Sequence, residues 1–269
     1  MIQKYVFGTP FFTGAVTEDI NRSEGAFPHG TISTDSGFCF TYGMDADDII
    51  YGLGEANRGI NKRNWRYVSD CADDPNHTED RCSLYAAHNF IIIAGTENFG
   101  LFFDHPSTIT FDIGYTRSDT LTVSCEDADL TLYVIEGNTP YDIVKQFRRM
   151  IGRSYIPPKF AFGFGQSRWG YKTREDFRNV VKGYRENHIP LDMVYMDIDY
   201  MDSYKDFTLN GDFSDFEDFV REMKEENIRL IPIIDAGVKI EKGYPVYEEG
   251  VKNNYFCKRA DGSDFMGAV

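Results

Sequence analysis

Met193-Val194-Tyr195-Met196-Asp197-Ile198-Asp199 and Ile228-Arg229-Leu230-Ile231-Pro232-Ile233-Ile234-Asp235 decide the fold of the second half of this chain. Both are nearly continuous apolar runs that end in aspartate. Strands buried on both faces read this way, and they belong to parallel sheets covered by helices. Between the two runs, Ser214 and Glu217 make an S-x-x-E pattern that predicts a helix start, and Phe216, Phe219, Val220 and Met223 supply that helix with an apolar face. Upstream, Phe177, Val180, Val181 and Tyr184 stand at i, i+3, i+4 and i+7 and predict a second helix. Earlier still, the short apolar run Phe160-Ala161-Phe162-Gly163-Phe164-Gly165 reads as a first strand. Strands recurring about every 35 residues with helices between them predict βα units, either of a (β/α) barrel or of an open doubly wound sheet.

The first half follows another period. Thr108-Ile109-Thr110-Phe111-Asp112-Ile113 and Thr120-Leu121-Thr122-Val123-Ser124-Cys125 alternate polar and apolar residues, as strands with one buried face do, and Leu130 to Ile135 is read the same way. Turn residues separate them, so a β-sandwich is expected. At Thr139-Pro140 the pattern changes to helix, with Thr139 as N-cap and Pro140 at the first helical position. Ile156-Pro157-Pro158 stops that helix, and the domain boundary is expected here, with residues 1–150 as the sandwich and connecting helix and 151–269 as the βα domain.

Composition narrows the function. The chain has 269 residues, 42% hydrophobic and 26% charged, which excludes disorder and fibrous architectures. A net charge of −15 repels phosphate backbones and argues against nucleic acid. Apolar stretches such as Phe90-Ile91-Ile92-Ile93-Ala94 fall well short of the about 18 residues of a membrane span. The N-terminus shows no signal-peptide pattern. Cys39, Cys71, Cys82, Cys125 and Cys257 have no zinc-ligand spacing and read as reduced thiols of a cytoplasmic protein, so the sequon Asn76-His77-Thr78 carries no meaning.

Active sites of βα folds gather at the carboxyl ends of the strands. Here those ends carry Gln166-Ser167-Arg168-Trp169, then Asp197 and Asp199, then Asp235. Asp197 and Asp199, two apart on a strand, would share a face and could share a proton, bind a metal or accept hydrogen bonds from sugar hydroxyls. A strand-end Asp also often caps the next helix, and for Ile198 and Ile234 ordinary barrel packing is the favoured reading. Trp169 is a stacking platform or a packed lid. Gly163-Phe164-Gly165 begins a G-x-G, but Arg168 takes the place of the third glycine, so no dinucleotide fingerprint is present. His77-Thr78-Glu79-Asp80 reads as a solvated loop rather than a metal site.

These residues also carry a family resemblance. Phe162–Tyr171 (FGFGQSRWGY), Ile189–Thr208 (IPLDMVYMDIDYMDSYKDFT), Ile231–Lys239 (IPIIDAGVK), Gly243–Gly250 (GYPVYEEG) and Tyr255–Gly262 (YFCKRADG) resemble the start of the catalytic domain of glycoside hydrolase family 31, the α-glucosidase family. Tyr51–Glu55 (YGLGE) and residues 73–90 resemble that family's N-terminal galactose mutarotase-like sandwich. Bacterial intracellular α-glucosidases are the most similar members.

The resemblance implies β plus α/β architecture: an N-terminal β-sandwich followed by about three βα units of a (β/α)8 TIM barrel. It implies a retaining, exo-acting α-glucosidase needing no cofactor and no metal, with α-linked gluco-oligosaccharides such as maltose or isomaltose as substrates. Asp197 and Asp235 match the aspartates that grip the O4 and O6 hydroxyls of the terminal sugar, Ile198 and Ile234 match pocket walls, and Trp169 matches an aromatic position beside the neighbouring subsite. Asp73, from the sandwich loop, matches a residue reaching the same region, and Asp199 a supporting aspartate. The family's W-x-D-M-N-E pattern does not occur here, so nucleophile and acid/base are expected beyond Val269 and this chain alone should be inactive. A homo-oligomer of the full-length protein stays open. The alternatives are a non-catalytic sugar-binding or assembly piece, and an unrelated metal-dependent (β/α) barrel enzyme using Asp197 and Asp199.

Overall fold

A computed structural model describes every residue except Asp73, Ala268 and Val269. It forms two compact units, Met1–Ser154 and Tyr155–Val269. Among the described residues the first holds ten strands: β1 (Ile2–Phe7), β2 (Thr31–Ser33), β3 (Phe38–Gly43), β4 (Ile49–Gly52), β5 (Trp65–Ser69), β6 (Phe90–Ala94), β7 (Asn98–Asp104), β8 (Ile109–Ile113), β9 (Thr120–Cys125) and β10 (Leu130–Glu136). They pair antiparallel into two sheets, ordered β1-β10-β7-β6-β4 and β2-β3-β9-β8-β5. One core joins the sheets, built from Phe38, Phe40 and Phe111 on one side and Ile91, Leu101 and Phe103 on the other. In β8 and β9 every second residue is buried, as the alternation predicts.

β10 departs from that pattern. Leu130 through Ile135 are all buried, because helix α1 (Pro140–Met150) packs its Ile143 and Met150 against Tyr133 and Ile135 on the sheet's outer face. The helix starts as expected. Thr139 accepts the Asp142 N–H, Asp142 accepts the Thr139 N–H at 3.1 Å, and Pro140 occupies the first turn.

Burial also sets an alkaline limit on this unit. The Tyr42 phenol is pushed up to about 12, first by burial and then by Asp48, which accepts its hydroxyl hydrogen bond at 3.3 Å. Tyr133 is likewise pushed up to about 12 by burial and the charge of Asp104. The unfolded chain releases these protons near the ordinary 10.0, whereas the folded chain holds them to about 12. Their contribution is therefore whole below pH 10 and is lost as pH rises toward 12. Urea midpoints measured across that window should fall steeply, and less steeply in Tyr133→Phe; equal slopes would contradict the assignment.

In the second unit, β11 (Gly165–Gln166), β12 (Met193–Met196) and β13 (Arg229–Pro232) form a parallel sheet in that order, with α2 (Arg174–Glu186), α3 (Phe216–Glu225) and α4 (Pro245–Asn253) between and after them. Phe177 and Val181 of α2 and Phe219 and Met223 of α3 pack on Val194 and Met196. Three details differ from the sequence reading. Lys159–Phe162 is a 3₁₀ turn rather than strand, because the Pro158 carbonyl turns back to accept the Ala161 N–H at 3.0 Å; pairing starts only at Gly165. α2 opens on a Thr173–Asp176 capping box, with Asp in the place of the more usual Glu or Gln. Ser214 does not cap α3. Asn210 already caps a 3₁₀ turn over Gly211–Phe213, which leaves Ser214 helical and Asp215 at the N-cap. Among the described residues no helix is long and apolar enough to cross a membrane.

Candidate active site

The carboxyl ends of β12 and β13 place the candidate residues. Register aligns Met196 with Pro232, and the Ile233 N–H donates to the Met196 carbonyl at 2.8 Å. Asp197 therefore stands beside Ile233, and Asp235 follows two residues later on the neighbouring strand's extension. Asp197 is the N-cap of a 3₁₀ turn over Ile198–Tyr200, and its Oδ1 accepts the Ile198 N–H at 2.8 Å.

That turn corrects the sequence argument for Asp199. The same-face rule holds only while the backbone stays extended, and β12 ends at Met196. Asp199 instead lies inside the turn, where its carbonyl accepts from the Asn210 Nδ2 at 2.6 Å and its Oδ2 is buried with no hydrogen-bond partner among the described residues. Ile198 packs partly against the α2–α3 core. Ile234 and Trp169 are exposed, at 54% and 67%. Asp73 lies outside the described residues. Among those residues no group of three or more His, Cys, Asp or Glu is arranged to hold a metal ion.

A residue the sequence reading passed over joins the two strand ends. Asp206 is 2% exposed, and its Oδ1 accepts the Asp235 main-chain N–H at 3.0 Å. The Tyr244 hydroxyl donates to the Asp206 carbonyl at 2.7 Å, and the Tyr200 hydroxyl to the Ile233 carbonyl at 2.8 Å. Burial, followed by the charges of Asp206 and Asp235, holds the Tyr200 phenol above its ordinary value, so it remains a donor. The Lys205 Nζ pairs with Asp202 at 2.9 Å and Glu241 at 3.2 Å, while Lys239 pairs with Glu241 at 3.1 Å. Ser203, Tyr204 and Phe207 all have left-handed backbone, with φ of 54°, 61° and 62°. Each such non-glycine residue costs on the order of 1–2 kcal/mol, so the surrounding bonds hold this loop in a shape it would not adopt alone. No sequence period marks Asp206, which sits in a polar loop between Lys205 and Phe207.

Chemically, the arrangement offers carboxylates on two adjacent strand ends, beside exposed apolar and aromatic surface. Ionised acceptors form short, strong hydrogen bonds with hydroxyl groups. Residues 18–112 match the glycosyl hydrolase 31 N-terminal galactose mutarotase-like domain, and residues 154–269 match the glycosyl hydrolases family 31 TIM-barrel domain.

The chain belongs to glycosyl hydrolase family 31.

Among relatives, this family 31 chain is 35% identical over 234 residues to alpha-glucosidase 2 of Bacillus thermoamyloliquefaciens, a match covering 86% of the chain and 30% of the relative. It is 29% identical over 228 residues to the alpha-glucosidase of Saccharolobus solfataricus, covering 84% and 33%. The chain thus spans a third or less of the length of these curated relatives. A solved family 31 dextranase of Flavobacterium johnsoniae, complexed with isomaltotriose, superposes with a TM-score of 0.80 at 22% identity over 87% of this chain and 29% of its own. The architecture is that of family 31: an N-terminal β-sandwich followed by part of a TIM barrel.

Proposed function

We propose that the protein containing these residues is a retaining, exo-acting α-glucosidase that removes terminal α-linked glucose from oligosaccharides such as maltose or isomaltose. The observation that carries this reading is the placing of Asp197 and Asp235 at the ends of two hydrogen-bonded parallel strands, in a chain whose relatives are α-glucosidases. Asp197 and Asp235 grip the distal hydroxyls of the terminal glucose, which closes the pocket at one end and makes the enzyme exo-acting. Ile198 and Ile234 form apolar walls, and Trp169 offers a ring to the next sugar unit. Asp199 supports the turn that carries Asp197. The nucleophile and acid/base, a carboxylate pair about 5–5.5 Å apart in retaining enzymes, are supplied outside residues 1–269. A cytoplasmic location fits five cysteines that are all free thiols.

The test is to give the complete gene product maltose, isomaltose and an aryl α-glucoside and follow the product by NMR. Glucose released first as the α-anomer is the expected result. A panel of α-glucosides left intact would overturn the proposal.

A further inference from the structure

The acidic strand ends contain one carboxylate that no sugar can reach. Asp206 is buried, yet no Lys or Arg makes an ion pair with it among the described residues. A buried ionised group is retained at a cost unless its hydrogen bonds repay it. The Asp206 Oδ1 spends its bond on the main-chain N–H of Asp235, 29 residues away in sequence. Its own backbone is anchored by Tyr244, while the flanking left-handed residues and the Lys205–Glu241 pair hold the loop in register with the residues after β13.

We propose that Asp206 is a positioning residue for substrate recognition: by accepting the Asp235 N–H it fixes the backbone from which Asp235 presents its carboxylate to the sugar. Past Pro232 the chain has left the sheet, and the last main-chain tie to β12 is the Ile233 N–H. Asp235 therefore has no ladder bond to orient it, and the Asp206 carboxylate takes the place of the missing strand partner. A charged acceptor suits this because it binds an N–H more strongly than a carbonyl does. Asp206 makes no contact with substrate. The inference rests on the reading above, in which Asp235 binds sugar.

The test compares Asp206→Leu, which keeps the number of side-chain heavy atoms but removes the acceptor, with Asp206→Asn, which keeps both the size and an acceptor oxygen, and with Asp235→Ala, all in the complete gene product. Loss of a hydrogen bond to a charged group predicts a fall in kcat/KM on isomaltose of about 10–100-fold in Asp206→Leu, mostly through KM, with Asp206→Asn recovering to within about threefold of wild type. Amide exchange supplies a second readout: the Asp235 N–H should be protected in the wild-type chain and in Asp206→Asn but exposed in Asp206→Leu. If Asp235→Ala leaves kcat/KM unchanged, the sugar-binding reading fails, while the exchange arm still decides the Asp206–Asp235 bond. If Asp235→Ala is impaired but Asp206→Leu is not, the positioning role is wrong. Should Asp206→Leu fail to fold, rapid exchange at Asp235 in the wild-type chain would overturn the proposal and slow exchange would support it.

Discussion

On the proposed reading, Asp197→Ala in the complete gene product is expected to lower kcat/KM on α-glucosides by about 10²–10⁴-fold, since it would remove the proposed charge-assisted hydrogen bonds to the sugar together with the cap that shapes the turn. The two losses can be separated. The Asp197 Oδ1 is committed to the Ile198 N–H at 2.8 Å, and Oδ2 remains for a ligand. Asp197→Asn keeps the capping oxygen and surrenders the charge, so it should fold with an unchanged thermal midpoint and lose about 10–100-fold. Asp197→Ser keeps a weaker cap and no ligand-facing oxygen, and should resemble the alanine variant in activity but not in stability. Steady-state kinetics beside thermal melts would check all three. Near wild-type turnover by Asp197→Ala would remove this residue from the site.

Phe103→Ala is expected to destabilise the sandwich by about 3–5 kcal/mol, a large part of the about 5–15 kcal/mol that holds a domain folded. Phe103, on β7, is fully buried. Its ring meets Phe38 at 6.0 Å and Phe40 at 6.2 Å on β3, and Phe111 at 5.6 Å on β8. It therefore ties one sheet to two strands of the other. Phe102, the next residue, points to the other face, where it stacks with Tyr133 and meets Phe147 edge-on. Phe102→Ala should cost less because that face is only partly covered. Urea unfolding followed by Trp65 fluorescence in a Trp169→Phe background would report on this unit alone. A loss below about 1 kcal/mol for Phe103→Ala would contradict the packing described.

The elements that were legible from sequence share one property: their signal is local. The alternation in residues 108–113 and 120–125, the spacing of Phe177, Val180, Val181 and Tyr184, and the Thr139-Pro140 start each depend on neighbours within a turn or two, and each forms as read. The misread segments are those where something other than apolar spacing decided the outcome. The run at Phe160 has the composition of a strand, but the prolines before it wind it into a 3₁₀ turn. β10 carries an inside and an outside pattern at once because α1, which follows it, covers the second face.

By itself, the sequence determined the two periods of this protein, the change between them near Thr139, and the aspartates at the ends of two βα strands, because hydrophobic burial imposes spacing that can be read along the chain. Only the tertiary structure decided that Asp197 caps a turn while Asp199 faces inward, and that Asp206 reaches across 29 residues to hold Asp235. Those facts depend on which main-chain donors are left unpaired where the strands end. That is settled when strands and loops meet in space, and no spacing along the chain records it.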